Sequence, residues 1–290
     1  MAKRRMPGER ASDGPSIRHI WKRNLPHILI ALLVWAAIYK AVPLLLRGTV
    51  TAADVRESLQ ELLCGQHEGH LYFLHMMLLI YAALPITYTF AVNADEKTMR
   101  YALVFWVIFG SVLPVLKSLG LFRAFSGIFQ QWPLPLAWGA IGCTLLGYFL
   151  IKRDPLPVGL AVGMIVFGFA VCFAGTWILS ARTGKLSAQL LEGLSPGPCM
   201  MAAGFFSLSM RISEKTSRGM DMLARHLSSG SFCVYLVHML VLRGLQHFGV
   251  SAGAFEPIAS VPLTALLAWA ISQLFYFVCR RIPWVRRWVI

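Results

Sequence analysis

The sequence predicts an all-α fold, a polytopic integral membrane helix bundle of about eight transmembrane helices, on three observations. Composition is the first. Of the 290 residues, 57% are hydrophobic and only 14% charged, whereas a soluble domain carries roughly 25% charged residues; mean hydropathy is +0.62. The second is a series of apolar runs near the ~20 residues a helix needs to cross hydrocarbon. The third is that all 13 Asp and Glu fall in loops or tails, outside those runs.

Residues 1–24 read as a basic, polar N-terminal segment with no apolar stretch, and so with no signal peptide. Residues 25–290 then form a single transmembrane domain. Spans are expected at 25–46, 70–92, 100–119, 134–151, 156–180, 197–211, 228–247 and 260–282, the sixth being the shortest. The loop at 47–69 carries Asp54, Glu57, Glu61 and Glu68 and reads as a short amphipathic helix ending near Gly65. Pro85, Pro114, Pro133, Pro135, Pro155 and Pro157 bound or kink spans. The six cysteines form no Cys-x-x-Cys pair and read as small buried side chains.

Loop charges set the expected orientation. Lys3, Arg4, Arg5, Arg10, Arg18, Lys22 and Arg23 precede the first span. Lys97, Arg100, Lys152, Arg153, Arg211, Lys215, Arg218, Arg225, Arg280, Arg281, Arg286 and Arg287 fall in loops on the same side. That face therefore holds 19 of the 27 Lys and Arg, and both termini are expected in the cytoplasm. The net charge of +14 is a topology signal and does not point to nucleic acid. A basic face also suits an anionic cofactor or lipid headgroups.

No embedded carboxylate offers a proton relay, which counts against a proton-driven transporter. No P-loop, Gly-x-Gly-x-x-Gly or Gly-x-Ser-x-Gly occurs, so nothing points to a primary pump. Basic groups do lie in or beside the spans: Lys40, His70, His75, Lys117, His238, Arg243 and His247. The lysines and Arg243 sit near helix ends, where snorkelling to the interface explains them. His238 stands about ten residues, or ~15 Å, into its span. It is either a neutral imidazole bonded to another helix or a functional group.

His70, at the mouth of the second span, reads either as an interface ring or as a general base or donor to a substrate. Tyr72 and Phe73 beside it offer either a stacking surface for a sugar ring or an anchor at the interface. His75 lies ~140° around the helix from His70, so the two do not share a face. Cys64, His67, Glu68, His70 and His75 are dense in potential ligands, but His-Glu-Gly-His lacks the His-Glu-x-x-His spacing, and no metal is expected.

Three segments in this order resemble the membrane-bound acyltransferase family 3, O-acyltransferases of cell-surface polysaccharides. His70-Leu71-Tyr72-Phe73-Leu74, running to Tyr81 and Pro85, is similar to that family's H-L-W-F-L and L-Y-x-x-x-P. Ser231-Phe232-Cys233-Val234-Tyr235-Leu236-Val237-His238 is similar to its S-F-G-I-Y-L-x-H. Arg281-Ile282-Pro283-Trp284-Val285-Arg286-Arg287 is similar to its closing K-I-P-L-L-R-K. Gly147-Tyr148-Phe149-Leu150 and the basic stretch from Arg18 to Pro26 are weaker matches.

The resemblance implies a ten-helix bundle in the plasma (inner) membrane. It passes an acyl group, commonly acetyl, from cytoplasmic acyl-CoA to a hydroxyl of a surface glycan or lipid-linked saccharide. By position His70 and His238 map onto two of the family's motif histidines, which makes them the candidates for catalysis here, and no permanently bound cofactor is expected. Arg18, Lys22 and Arg23 map onto the basic cluster that holds the donor's phosphates, and Tyr72, His75 and Arg243 fall to substrate binding.

The family opens with two further helices, the first carrying an Arg and a histidine regarded as the base. Residues 1–23 show no such span, and His19 lies in another context. Three readings stand: a chain beginning downstream of those helices, a non-catalytic relative, or another histidine, most plausibly His70, as base. The rival to acyl transfer is a carrier of a lipid-linked glycan or small metabolite without chemistry.

Overall fold

The computed structural model describes residues 14–118, 136–213 and 217–290. Lys3, Arg4, Arg5, Arg10, Pro133, Pro135 and Lys215 lie outside these residues. Everything regular among the described residues is helical. Five helices are long and apolar enough to cross a membrane: α1 (Ile17–Leu46), α3 (Gly69–Asn93), α4 (Glu96–Lys117), α6 (Val158–Thr183) and α10 (Pro257–Cys279).

Three expected spans are not among these five. The fourth, expected from residue 134, is described only from Leu136: α5 (Leu136–Ile151) has 16 residues. The sixth, α7 (Pro196–Ser213), holds two prolines, Ser207, Ser209 and Arg211 and is not among the five. The seventh divides: α8 (Arg218–Ser228) and α9 (Ser231–His247) meet at a 52° bend and together would make a sixth crossing. The bend sits at Gly230, where a Cβ would run into the Gln273 amide.

At the N-terminal side, helix begins at Ile17 rather than near residue 25. Ile17, Ile20, Trp21 and Leu25 give the basic stretch an apolar complement, and long cations extend from such a helix to the polar layer. Its second turn, Ile20–Asn24, is a π-helix.

As expected, the loop after α1 forms an amphipathic helix, α2 (Ala52–Leu63), closed by Gly65 at φ +74°. Thr51 and Asp54 build a capping box at its start: the Thr51 side chain accepts from the Asp54 N–H, and the Asp54 carboxylate accepts from the Thr51 N–H at 2.9 Å. The Thr51 hydroxyl, which also donates to that carboxylate at 2.6 Å, and after it the Thr51 N–H hold the Asp54 carboxyl below its ordinary value. Asp95 caps α4 through the Thr98 N–H at 2.8 Å and is lowered for the same reason.

The chain divides into two compact units. One comprises residues 19–78 and 217–290: α1 from its first turn onward, α2, the opening of α3, then α8, α9, α10 and α11 (Pro283–Trp288). Trp35, Tyr39, Leu71, Leu74, Cys233 and Leu236 form its buried centre. Trp35 Nε1 donates to the Val289 carbonyl at 3.0 Å, which fastens the C-terminal turn to α1.

The other unit comprises residues 79–216 with the stretch up to Arg18. Small residues set its packing. A Cβ on Gly168 would meet the Gly197 carbonyl, and one on Gly204 the Ala161 carbonyl, so α6 and α7 pack nearly backbone to backbone. Gly142 leaves room for the Trp106 indole, whose N–H donates to the Gly139 carbonyl at 2.8 Å.

Candidate functional site

The unit of residues 19–78 and 217–290 gathers the polar groups that the sequence scatters over three helices. On α3 a 3-10 turn at Gly69–Leu71 starts the helix, and the buried Leu71 and Leu74 anchor it. That anchoring fixes His70 on the opening turn. On α9, Cys233, Leu236 and Val237 are buried, and Tyr235 and His238, three residues apart, share the side away from them, their rings 6.3 Å apart. From α1, Tyr39 reaches the His70 ring.

The resulting contacts are close. The His70 ring lies 4.8 Å from the Tyr39 ring, 5.3 Å from His238 and 6.0 Å from Tyr235, all edge-on. Tyr235 donates its hydroxyl proton to the His70 carbonyl at 2.6 Å, and Tyr39 donates to the Leu236 carbonyl at 2.8 Å. His70 Nε2 is buried without a hydrogen-bond partner among the described residues.

His238 Nδ1 lies 2.6 Å from the Tyr235 carbonyl oxygen. A carbonyl only accepts, so Nδ1 carries the proton; whenever the ring is neutral its lone pair is then on Nε2. Arg243, one turn further along α9, pairs with Glu68 at 2.9 Å and lies over the Tyr39 ring at 5.8 Å. The guanidinium has donors beyond those Glu68 occupies. Lys40 is ion-paired with Glu61 of α2.

His70, His238 and Arg243 are thus brought together. His75 is not: its Nδ1 lies 3.3 Å from the Leu71 carbonyl of its own helix, and its ring packs on His67 at 5.1 Å. The five-residue offset from His70 turns it to another side of α3. Tyr72 is exposed, while Phe73 meets the Tyr235 ring at 5.4 Å. Arg18, Lys22 and Arg23 are exposed on the opening turns of α1, and no carboxylate among the described residues pairs with them.

Three members of the cluster are not singled out by sequence. Tyr235 stands in the segment Ser231–His238 that carries the family resemblance, but nothing there gives it a role. Glu68 stands out as one of four loop acids and in a ligand-dense stretch, but not as a partner of Arg243. Nothing in the sequence marks Tyr39.

No curated protein and no solved structure matches the chain. A family model does: the acyltransferase domain of family 3 matches residues 10–277, from ahead of α1 to the last turn of α10. With that match over an all-helical membrane bundle, the chain belongs to acyltransferase family 3.

Proposed function

We propose that this membrane acyltransferase is an O-acyltransferase. It moves an acyl group, acetyl in the simplest case, from acyl-CoA to a hydroxyl of a cell-surface or lipid-linked glycan. The observation that carries the reading is the His238 tautomer beside His70. A neutral imidazole with a free Nε2 lone pair is a general base for a hydroxyl.

In this reading His238 Nε2 takes the acceptor's proton as its oxygen attacks the thioester carbonyl. A C–O bond forms, and the carbonyl electrons move to oxygen. His70 Nε2–H and the spare donors of Arg243 stabilise that oxyanion. The C–S bond then breaks, and the thiolate of CoA receives the proton from the His238 imidazolium. Tyr235 is a positioning residue, since it bonds the His70 backbone and supplies the carbonyl that sets the His238 tautomer.

Arg18, Lys22 and Arg23 would hold the phosphates of CoA by charge-assisted hydrogen bonds. They lie near one end of α1 and Tyr39 near the other, about 25 Å along the axis from Lys22. A donor on one face and an acceptor on the other follow from that separation. The excess of cations on the donor side supports a cytoplasmic face there, and the family resemblance favours the plasma (inner) membrane.

Radiolabelled acetyl-CoA with membranes containing the protein tests this. Label entering a carbohydrate or lipid fraction, and lost in His70→Ala at equal protein level, supports transfer. Uptake of unmodified saccharide into vesicles without labelling would instead make the protein a carrier.

A further inference from the structure

Two polar atoms near the start of α1 are buried without a hydrogen-bond partner: Asn24 Oδ1 and His27 Nε2. Three residues apart, they share one side of the helix. Lys22 and Arg23, exposed and without a carboxylate partner among the described residues, come immediately before them. The π-turn at Ile20–Asn24 ends here, and such turns recur at functional sites. An unmet amide oxygen and imidazole nitrogen within a membrane-spanning helix are costly unless a ligand completes them.

From His27 a row of rings leads toward the histidine pair. The His27 ring meets Phe232 edge-on at 6.1 Å, and Phe232 stacks on Tyr235 at 6.4 Å. Tyr235 in turn lies 6.0 Å from His70 and 6.3 Å from His238.

We infer that Asn24 and His27 receive the pantetheine arm of acyl-CoA, directly inward of phosphates held on Lys22 and Arg23, so that the thioester points along the ring row to His70 and His238. The inference rests on the acyltransferase reading above. Pantetheine carries two secondary amides, each with one N–H and one C=O. Asn24 Oδ1 accepts an amide N–H, and His27 Nε2–H donates to an amide C=O. A lipid phosphate or an acyl phosphate would satisfy the two cations and can accept from His27 Nε2–H, but it brings no amide N–H for Asn24 Oδ1.

The test compares acetyl-CoA with S-acetyl-pantetheine, which keeps the amides and lacks the nucleotide and its phosphates, as donors for the purified protein in nanodiscs. Asn24→Ala and His27→Ala should each raise KM for both donors by about tenfold, the worth of one hydrogen bond to a buried group, with kcat little changed. Lys22→Ala with Arg23→Ala should raise KM for acetyl-CoA alone. Unchanged KM in Asn24→Ala and His27→Ala, or a rise confined to acetyl-CoA, overturns the assignment.

Calorimetric binding of CoA and of pantetheine to the same variants, and to Asn24→Ser and His27→Gln if the alanine forms do not fold, separates the two claims. If no donor supports transfer by the wild type, the acyltransferase reading fails. The subsite then stands only if these variants still weaken binding of both compounds, and falls if they do not.

Discussion

The Tyr235 hydroxyl donates to the His70 carbonyl oxygen at 2.6 Å, a bond across 165 residues of chain. It joins the opening turn of α3 to α9, the two helices that carry the histidine pair. Because the Tyr235 carbonyl also sets the His238 tautomer, one residue touches the placement of both imidazoles.

Tyr235→Phe removes the hydroxyl and keeps the ring and the carbonyl. Acetyl transfer should fall by about tenfold, the worth of one well-aligned hydrogen bond, through kcat more than through KM. The pH profile should keep its shape, since the His238 tautomer bond survives. Steady-state rates across pH check both parts.

Arg243→Lys keeps the charge and loses the planar fork that faces Glu68 and the Tyr39 ring. Activity should drop, and Arg243→Ala should lose more, because Glu68 is then left half-buried without its partner. Glu68→Gln in the Arg243→Ala background should recover part of the loss in protein stability and none of the activity. Thermal unfolding and transfer assays on the three variants read this.

Gly142→Ala forces a methyl into the Trp106 indole and should destabilise the unit of residues 79–216 by about 1–3 kcal/mol. Trp106→Phe in the same chain relieves the clash at the cost of the bond to the Gly139 carbonyl, about 1 kcal/mol. The double variant should therefore be less destabilised than the sum of the singles, as a double-mutant cycle in detergent will show.

The cap of α2 is acid-sensitive with a defined sign. Asp54 titrates below its ordinary value in the folded protein, so its stabilisation is complete above that ordinary value and is lost as pH falls through the lowered one. A spin label at Leu59→Cys should gain mobility as pH drops through the acid range. Asp54→Asn should already be more mobile at neutral pH. A label equally immobile in both at every pH would show that the cap does not hold the helix.

Much of the fold is legible in the sequence, and the gaps have physical causes. Hydropathy finds α1, α3, α4, α6 and α10 because their apolar runs match the bilayer. α5, described only from Leu136, and α7, with its two prolines and its serines, are not among the five long apolar helices. Hydropathy misses the helical turns at Ile17–Asn24, because cations mask an apolar complement that only the folded helix displays. The amphipathic α2 is readable from its acids and its apolar positions. His70 and His238 can be singled out, by depth and by family resemblance. Their meeting cannot, since helical periodicity relates residues within one helix and says nothing of which faces pair. Tyr39 joins them only through tertiary packing.

The central claim is that His238 and His70 carry acyl transfer, and a single-turnover measurement tests it most directly. Purified protein in nanodiscs, in excess over radiolabelled acetyl-CoA, is mixed with it and a saccharide acceptor, and the first-turnover rate is compared with that of His238→Ala. Loss of the general base should slow the first turnover by about 100-fold or more while the affinity for acetyl-CoA holds. A first turnover as fast in His238→Ala as in the wild type would contradict the account.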